Sequence, residues 1–159
     1  MESQKIIKTT LILIFLISST VSLCHPIDDY YKLHKNDQKM EAKIVPPKIA
    51  ARMVDEDYPE AIDMLKSMTT LKYLNYWGDI NKIKKYALQA ISAKGNYPLL
   101  LEKTEGKRSI SVFGIKKNSL VRRLFAVVQT KTQFILMIGK GKLTQEQLNW
   151  LPALSKEIQ

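Results

Sequence analysis

Followed by its apolar and polar positions, the chain divides into a short greasy segment, a polar stretch and a long series of elements with regular periodicity. Residues 11–17 (LILIFLI) form a continuous apolar run, preceded by Lys5 and Lys8 and followed by Ser18, Ser19, Thr20 and Ser22. A basic start, an apolar core and small polar residues in that order are the signature of a secretory signal peptide. The run falls short of the roughly 20 residues that a membrane span needs, so a signal over residues 1–24 is preferred to an uncleaved anchor. Residues 25–40 (HPIDDYYKLHKNDQKM) are polar without sustained periodicity and read as a linker or flexible arm. A single domain is expected over residues 41–159.

Within that domain, AKIV before Pro46-Pro47 predicts a short strand, and KIAARMV a helical turn. The acidic residues 55–57 precede Tyr58-Pro59, so Asp57 is expected to cap a helix with Pro59 in its first turn. Ile62, Leu65 and Met68 then recur at helical spacing. Residues 70–77 (TLKYLNYW) alternate and are aromatic-rich, which predicts a strand. Gly78-Asp79 supplies a stop and a cap for an amphipathic helix. Ile80, Ile83, Ala87 and Ala90 or Ile91 lie on its apolar side, Lys82, Lys84, Lys85 and Gln89 on its wet side, and Gly95 is its left-handed end. Four strand patterns follow, PLLLEKTE, RSISVFGIK, LVRRLFAVVQT and TQFILMIGK, separated by the short turns EGK, KNS and TKT. Such tight links predict an antiparallel meander. Thr144 and Gln147 make a capping box with Leu143 and Leu148 at the staple positions. Trp150, Leu151 and Leu154 are expected to press on the sheet, with Pro152 bending or shortening the last helix. The predicted class is α+β: a mainly antiparallel sheet of about five or six strands with three or four helices, mostly on one face.

Charge changes the picture little. The chain holds 25 Lys and Arg against 15 Asp and Glu, a formal charge of +10. Without residues 1–24, which contain Lys5, Lys8 and Glu2, it carries +9, and only four of its remaining basic residues are Arg. A planar, bidentate grip on phosphate favours Arg, so lysines spread along the chain read as a solvated surface. With one cysteine no internal disulfide can form, and stability must come from the core.

Candidate chemistry is sparse. Cys24 could be a lipid attachment point, but Leu23 before it is bulky where a lipoprotein signal wants a small residue. Cleavage near Ser22 or Cys24 satisfies ordinary signal peptidase. His25 and His34, with Asp28, Asp29 and Asp37 around them, match no compact metal-ligand spacing and are expected to be solvent-exposed. IGKGKLT (residues 138–144) lacks the first glycine of a phosphate loop, Leu136 standing there, and Leu143 replaces the Ser or Thr. No nucleophile elbow or dinucleotide fingerprint is present. Arg122 and Arg123, adjacent in a strand, are expected to point to opposite faces. Tyr73, Tyr76 and Trp77 could stack on single-stranded nucleic acid, yet strand alternation sends about half of them to the core. No catalytic residue, cofactor, metal or nucleic-acid partner is expected.

The segments KIVPPKIAARMV, PEAIDMLKSMTTLKYL, DINKIKKYALQAI and SVFGIKKNSLVRRLFAVVQTKTQFILMIGKGKLTQEQL together resemble the small exported proteins of bacteroidete bacteria grouped as domain of unknown function 4252. The resemblance spans roughly residues 41–150. It implies export and an α+β fold, and it assigns no catalytic residue. The expectation is a noncatalytic binding or interaction module of the cell envelope, in the periplasm or held at the membrane, with an envelope protein or ligand as partner. Two alternatives stand beside it: an envelope enzyme or small-ligand binder with an unrecognised site, and a peripheral binder of anionic membrane through its lysines.

Overall fold

The computed structural model describes residues 25–157. Six strands form one fully antiparallel sheet: β1 (Met40–Val45), β2 (Met68–Trp77), β3 (Leu99–Glu105), β4 (Arg108–Lys117), β5 (Leu120–Gln129) and β6 (Gln133–Leu143). Their order across the sheet is β1-β2-β6-β5-β4-β3, with β1 and β3 at the edges. The meander β3–β4–β5–β6 is as the short turns predict. At the β4–β5 turn Asn118 and Ser119 take φ of 53° and 63°, and Gly106 takes 59° at the β3–β4 turn. Positive φ at both central residues matches the turn's twist to that of the strands. The class, α+β on a mainly antiparallel sheet, is the expected one.

Among the described residues five helices accompany the sheet: α1 (Pro26–His34), α2 (Pro47–Met53), α3 (Pro59–Lys66), α4 (Ile80–Ser92) and α5 (Leu151–Glu157), the last entered through a 3-10 turn at Gln147–Trp150. They do not gather on one face. α2, α3 and α5 cover one side, where Ala51, Leu65 and Leu154 pack with Tyr73, Ala126 and Met137. α1 and α4 cover the other, where Tyr30, Ile83 and Ala87 pack with Leu74, Phe125 and Phe134. The reason lies in the central strands. Residues 124–128 of β5 and 133–139 of β6 are buried without a break. Such runs fit a sheet covered on both sides, whereas alternation accompanies a solvated face.

The largest correction falls on residues 25–40. Rather than a loosely packed arm, they carry α1, which buries Ile27, Tyr30 and Tyr31. The spacing is helical, but two of the three inward positions are tyrosines, whose polar tips disguise an apolar face. Lys72 ion-pairs with Asp28, and the Tyr30 hydroxyl donates to the Tyr86 carbonyl at 3.0 Å. Smaller corrections concern helix ends. Tyr58, not Asp57, is the N-cap residue of α3, while the Asp55 carboxylate accepts the Asp57 N–H. Met68 opens β2 instead of extending α3. Asp79 does cap α4, accepting from the N–H groups of Asn81 and Lys82. Thr144 and Gln147 form the reciprocal capping box, at 2.9 and 3.2 Å.

Candidate binding cavity

Where α2, α3 and α5 lie over the sheet they leave a cavity of about 160 Å³. Its floor is Leu71, Tyr73, Leu124 and Met137 of the strands, and its wall includes Ala50, Met53, Val54, Leu65, Leu151 and Leu154. Tyr73 supplies the one side-chain hydroxyl in an otherwise apolar lining. The sequence explains why space remains here. α2 is a short helix fenced by Pro46-Pro47 and ended at Val54, so it presents small Ala50 and Ala51 inward. At its rim Met53 is 75% exposed, and nearby on α2 Ile49 is 52% exposed. Such a chamber can bury an apolar group, and its lining offers no acid–base pair.

On the opposite face a polar cluster joins α1 to α4. The Asp37 carboxylate meets the His34 ring nitrogen at 2.7 Å and accepts the Tyr86 hydroxyl at 3.0 Å. Tyr30 packs against the imidazole with centroids 4.4 Å apart. Partial burial pushes the Asp37 carboxyl up, but the hydrogen bonds from His34 and Tyr86 and the charges of His34 and Lys82 together hold it below its ordinary range. Burial, then the bond to Asp37, pushes the Tyr86 phenol up to about 12. A small cleft of about 140 Å³ opens beside this cluster, flanked by Lys82 and Lys85. The cluster clamps the end of α1, and His34 is packed, contrary to its expected exposure.

The remaining sequence candidates do not converge. His25 and His34 sit at opposite ends of α1, about 13 Å apart by helical rise, and His25 faces the Tyr97 hydroxyl at 3.1 Å. Asp28 turns to Lys72 and Arg123, and Asp29 pairs with Lys32 at 3.6 Å. Tyr73 and Tyr76 enter opposite cores, while Trp77 is 44% exposed. The IGKGKLT stretch is the end of β6. A Cβ at Gly141 would stand 2.5 Å from the Ser67 carbonyl oxygen, so this glycine serves the close passage of the α3–β2 corner. A bulge against β4, between Val121 and Arg123, makes Arg122 the extra residue of β5. Cys24 and Ser22 lie outside the described residues. The cavity itself was missed because it is a property of helix placement. Its only trace in the sequence is the proline-bounded, alanine-bearing α2.

Sheet and helices define a three-layer α+β domain with an antiparallel central sheet. Residues 31–151 match the family described as a domain of unknown function, DUF4252, and the chain belongs to that family. No curated protein and no solved structure matches it.

Proposed function

We propose that this chain is an exported, noncatalytic binding module of the cell envelope, and that its cavity under α2 takes the apolar end of a small ligand. The observation that carries the reading is the chamber itself, about 160 Å³ and lined almost wholly by apolar side chains beside an exposed Met53. Apolar protein cavities of roughly 150 Å³ stay dry and admit a benzene-sized guest. Whole drug-sized ligands need about 300 Å³ or more, so the chamber suits one end of a molecule. Methionines at Met53, Met68 and Met137 favour adaptable uptake, because the thioether chain repacks easily. Export is supported by the order of residues 1–24.

The test is titration of the full chain with benzene and with short-chain alcohols, followed by methionine-methyl NMR, alongside an Ala50→Trp variant that fills the chamber from a half-buried position. Saturable shifts at Met53 and Met137 that vanish in Ala50→Trp support the reading. Equal shifts in both proteins, or none in either, overturn it. Export is tested separately by the intact mass and N-terminal residue of the chain recovered from its host's envelope. A start near Ser22 or Cys24, with or without lipid, supports it; an intact Met1 in the cytoplasm overturns it.

A further inference from the structure

The start of α1 fixes where the chain leaves the domain. His25 meets Tyr97, Pro26 lies against Gly95, and Asp28 reaches Lys72 and Arg123. All of these contacts belong to one end of the sheet. The strand register brings the β4–β5 turn and the tail of β6 to that same end. Lys116 pairs with Val121, Val121 with Leu143, and Arg123 with Lys140. Lys116, Lys117, Lys140 and Lys142 therefore cluster there, joined by Lys94 from the loop after α4, and all five are exposed. The carboxylates nearby are few. Asp28 is held by Lys72 and Arg123, Asp29 stands 3.6 Å from Lys32, Asp63 stands 3.7 Å from Lys66, and Glu146 follows β6.

We infer that this lysine-bearing end is a membrane-facing surface that rests on anionic lipid headgroups, with α1 holding the domain close to the bilayer. The inference rests on the exported reading for its setting, since residues 1–24 precede α1 directly. Exposed lysines stand at the far end too (Lys82, Lys84, Lys85, Lys107 and Lys131), so the exit of the chain is what selects this end, and the lysines here supply the charge it presents. Lysine ammonium groups suit this role, because headgroups attract a diffuse positive charge and need no bidentate fit. The docked α1 allows no loose leash between its first turn and the domain. Hence a chain held at the membrane near residue 24 presents this end and turns Lys107 and Lys131, at the far turns, toward solvent.

The experiment is acylation footprinting of lysines in the full chain on phosphatidylcholine vesicles with and without phosphatidylglycerol. Selective protection of Lys94, Lys116, Lys117, Lys140 and Lys142 on the anionic vesicles, with Lys107 and Lys131 still reactive, is the expected result. Each lysine at such a surface is worth about fivefold in partitioning, so K116Q/K117Q should lower the anionic-over-neutral preference about 25-fold with the fold unchanged by circular dichroism. Uniform reactivity at both ends overturns the inference, as does equal protection on both vesicle types. Protection that appears only with acidic envelope proteins and never with lipid also overturns it, assigning the face to a protein partner. Failure of export would instead appear as an unprocessed chain in the cytoplasm, so the two readings fail separately.

Discussion

The two faces of one sheet are packed by different means. Under α1 and α4 the core is aromatic: Phe113 and Phe125 stack at 5.0 Å, Tyr86 and Phe134 at 5.6 Å, and Tyr97 meets Phe125 edge-on at 5.6 Å. Hydrogen bonds from Tyr30 and Tyr86 then pin the helices laterally. Under α2, α3 and α5 the core is aliphatic and methionine-rich, without comparable ring pairs among the described residues, and it borders the cavity. Flat rings with directional tips specify one arrangement and leave little free volume. Flexible thioethers and short helices tolerate a void. One layer is thus tightly specified, and the other leaves free volume.

The contrast can be broken experimentally. Removing Phe125, fully buried between rings, should cost about 3–5 kcal/mol as Phe125→Ala, read from denaturant midpoints. Met137→Ala on the cavity side should cost less, about 2–3 kcal/mol, because a side chain bordering a void has fewer contacts to lose. Equal costs would mean that the two faces are packed alike. Gly141→Ala, forced against the Ser67 carbonyl, should lose about 1–3 kcal/mol, and a neutral result would show that the corner above the cavity yields. Ala50→Leu should be neutral or stabilising by about 0.5–1 kcal/mol, since it fills existing space; a clear loss would show that the chamber closes in solution.

The smallest effect concerns the clamp on α1. A carboxyl held below its ordinary value of 3.8 stabilises the fold above that pH and loses its contribution as pH falls through the lowered folded-state value. Asp37→Asn should therefore cost about 0.5 kcal/mol at neutral pH, as expected for a hydrogen-bonded group still partly in water. Its difference from the natural chain should shrink on acidification below about pH 4. A difference that persists unchanged in acid would show that the cluster holds α1 by packing rather than by charge.

Much of the fold was written locally. Asp79 followed by apolar positions three to four apart marks α4. EGK and KNS between β-rich runs mark the meander, and Thr144 with Gln147 marks the final turn. Each is settled by neighbours within a few residues, through capping, backbone conformation or side-chain period, so one strand of text suffices to read it. Tyr30 and Tyr31 show where that reading fails. A tyrosine is apolar only once something covers its ring, and the cover for Tyr30, near Tyr86, lies more than fifty residues away. The same holds for the side of the sheet each helix takes, for the chamber that Ala50 and Met137 share, and for the gathering of Lys94, Lys116 and Lys140 at one end. These are sums over distant segments. The sequence by itself determined most of the elements, α1 excepted, and how the strands of the meander pair. Only the tertiary structure decided what those elements enclose and present, because volumes and surface potentials arise from groups that meet in space without being neighbours in the chain.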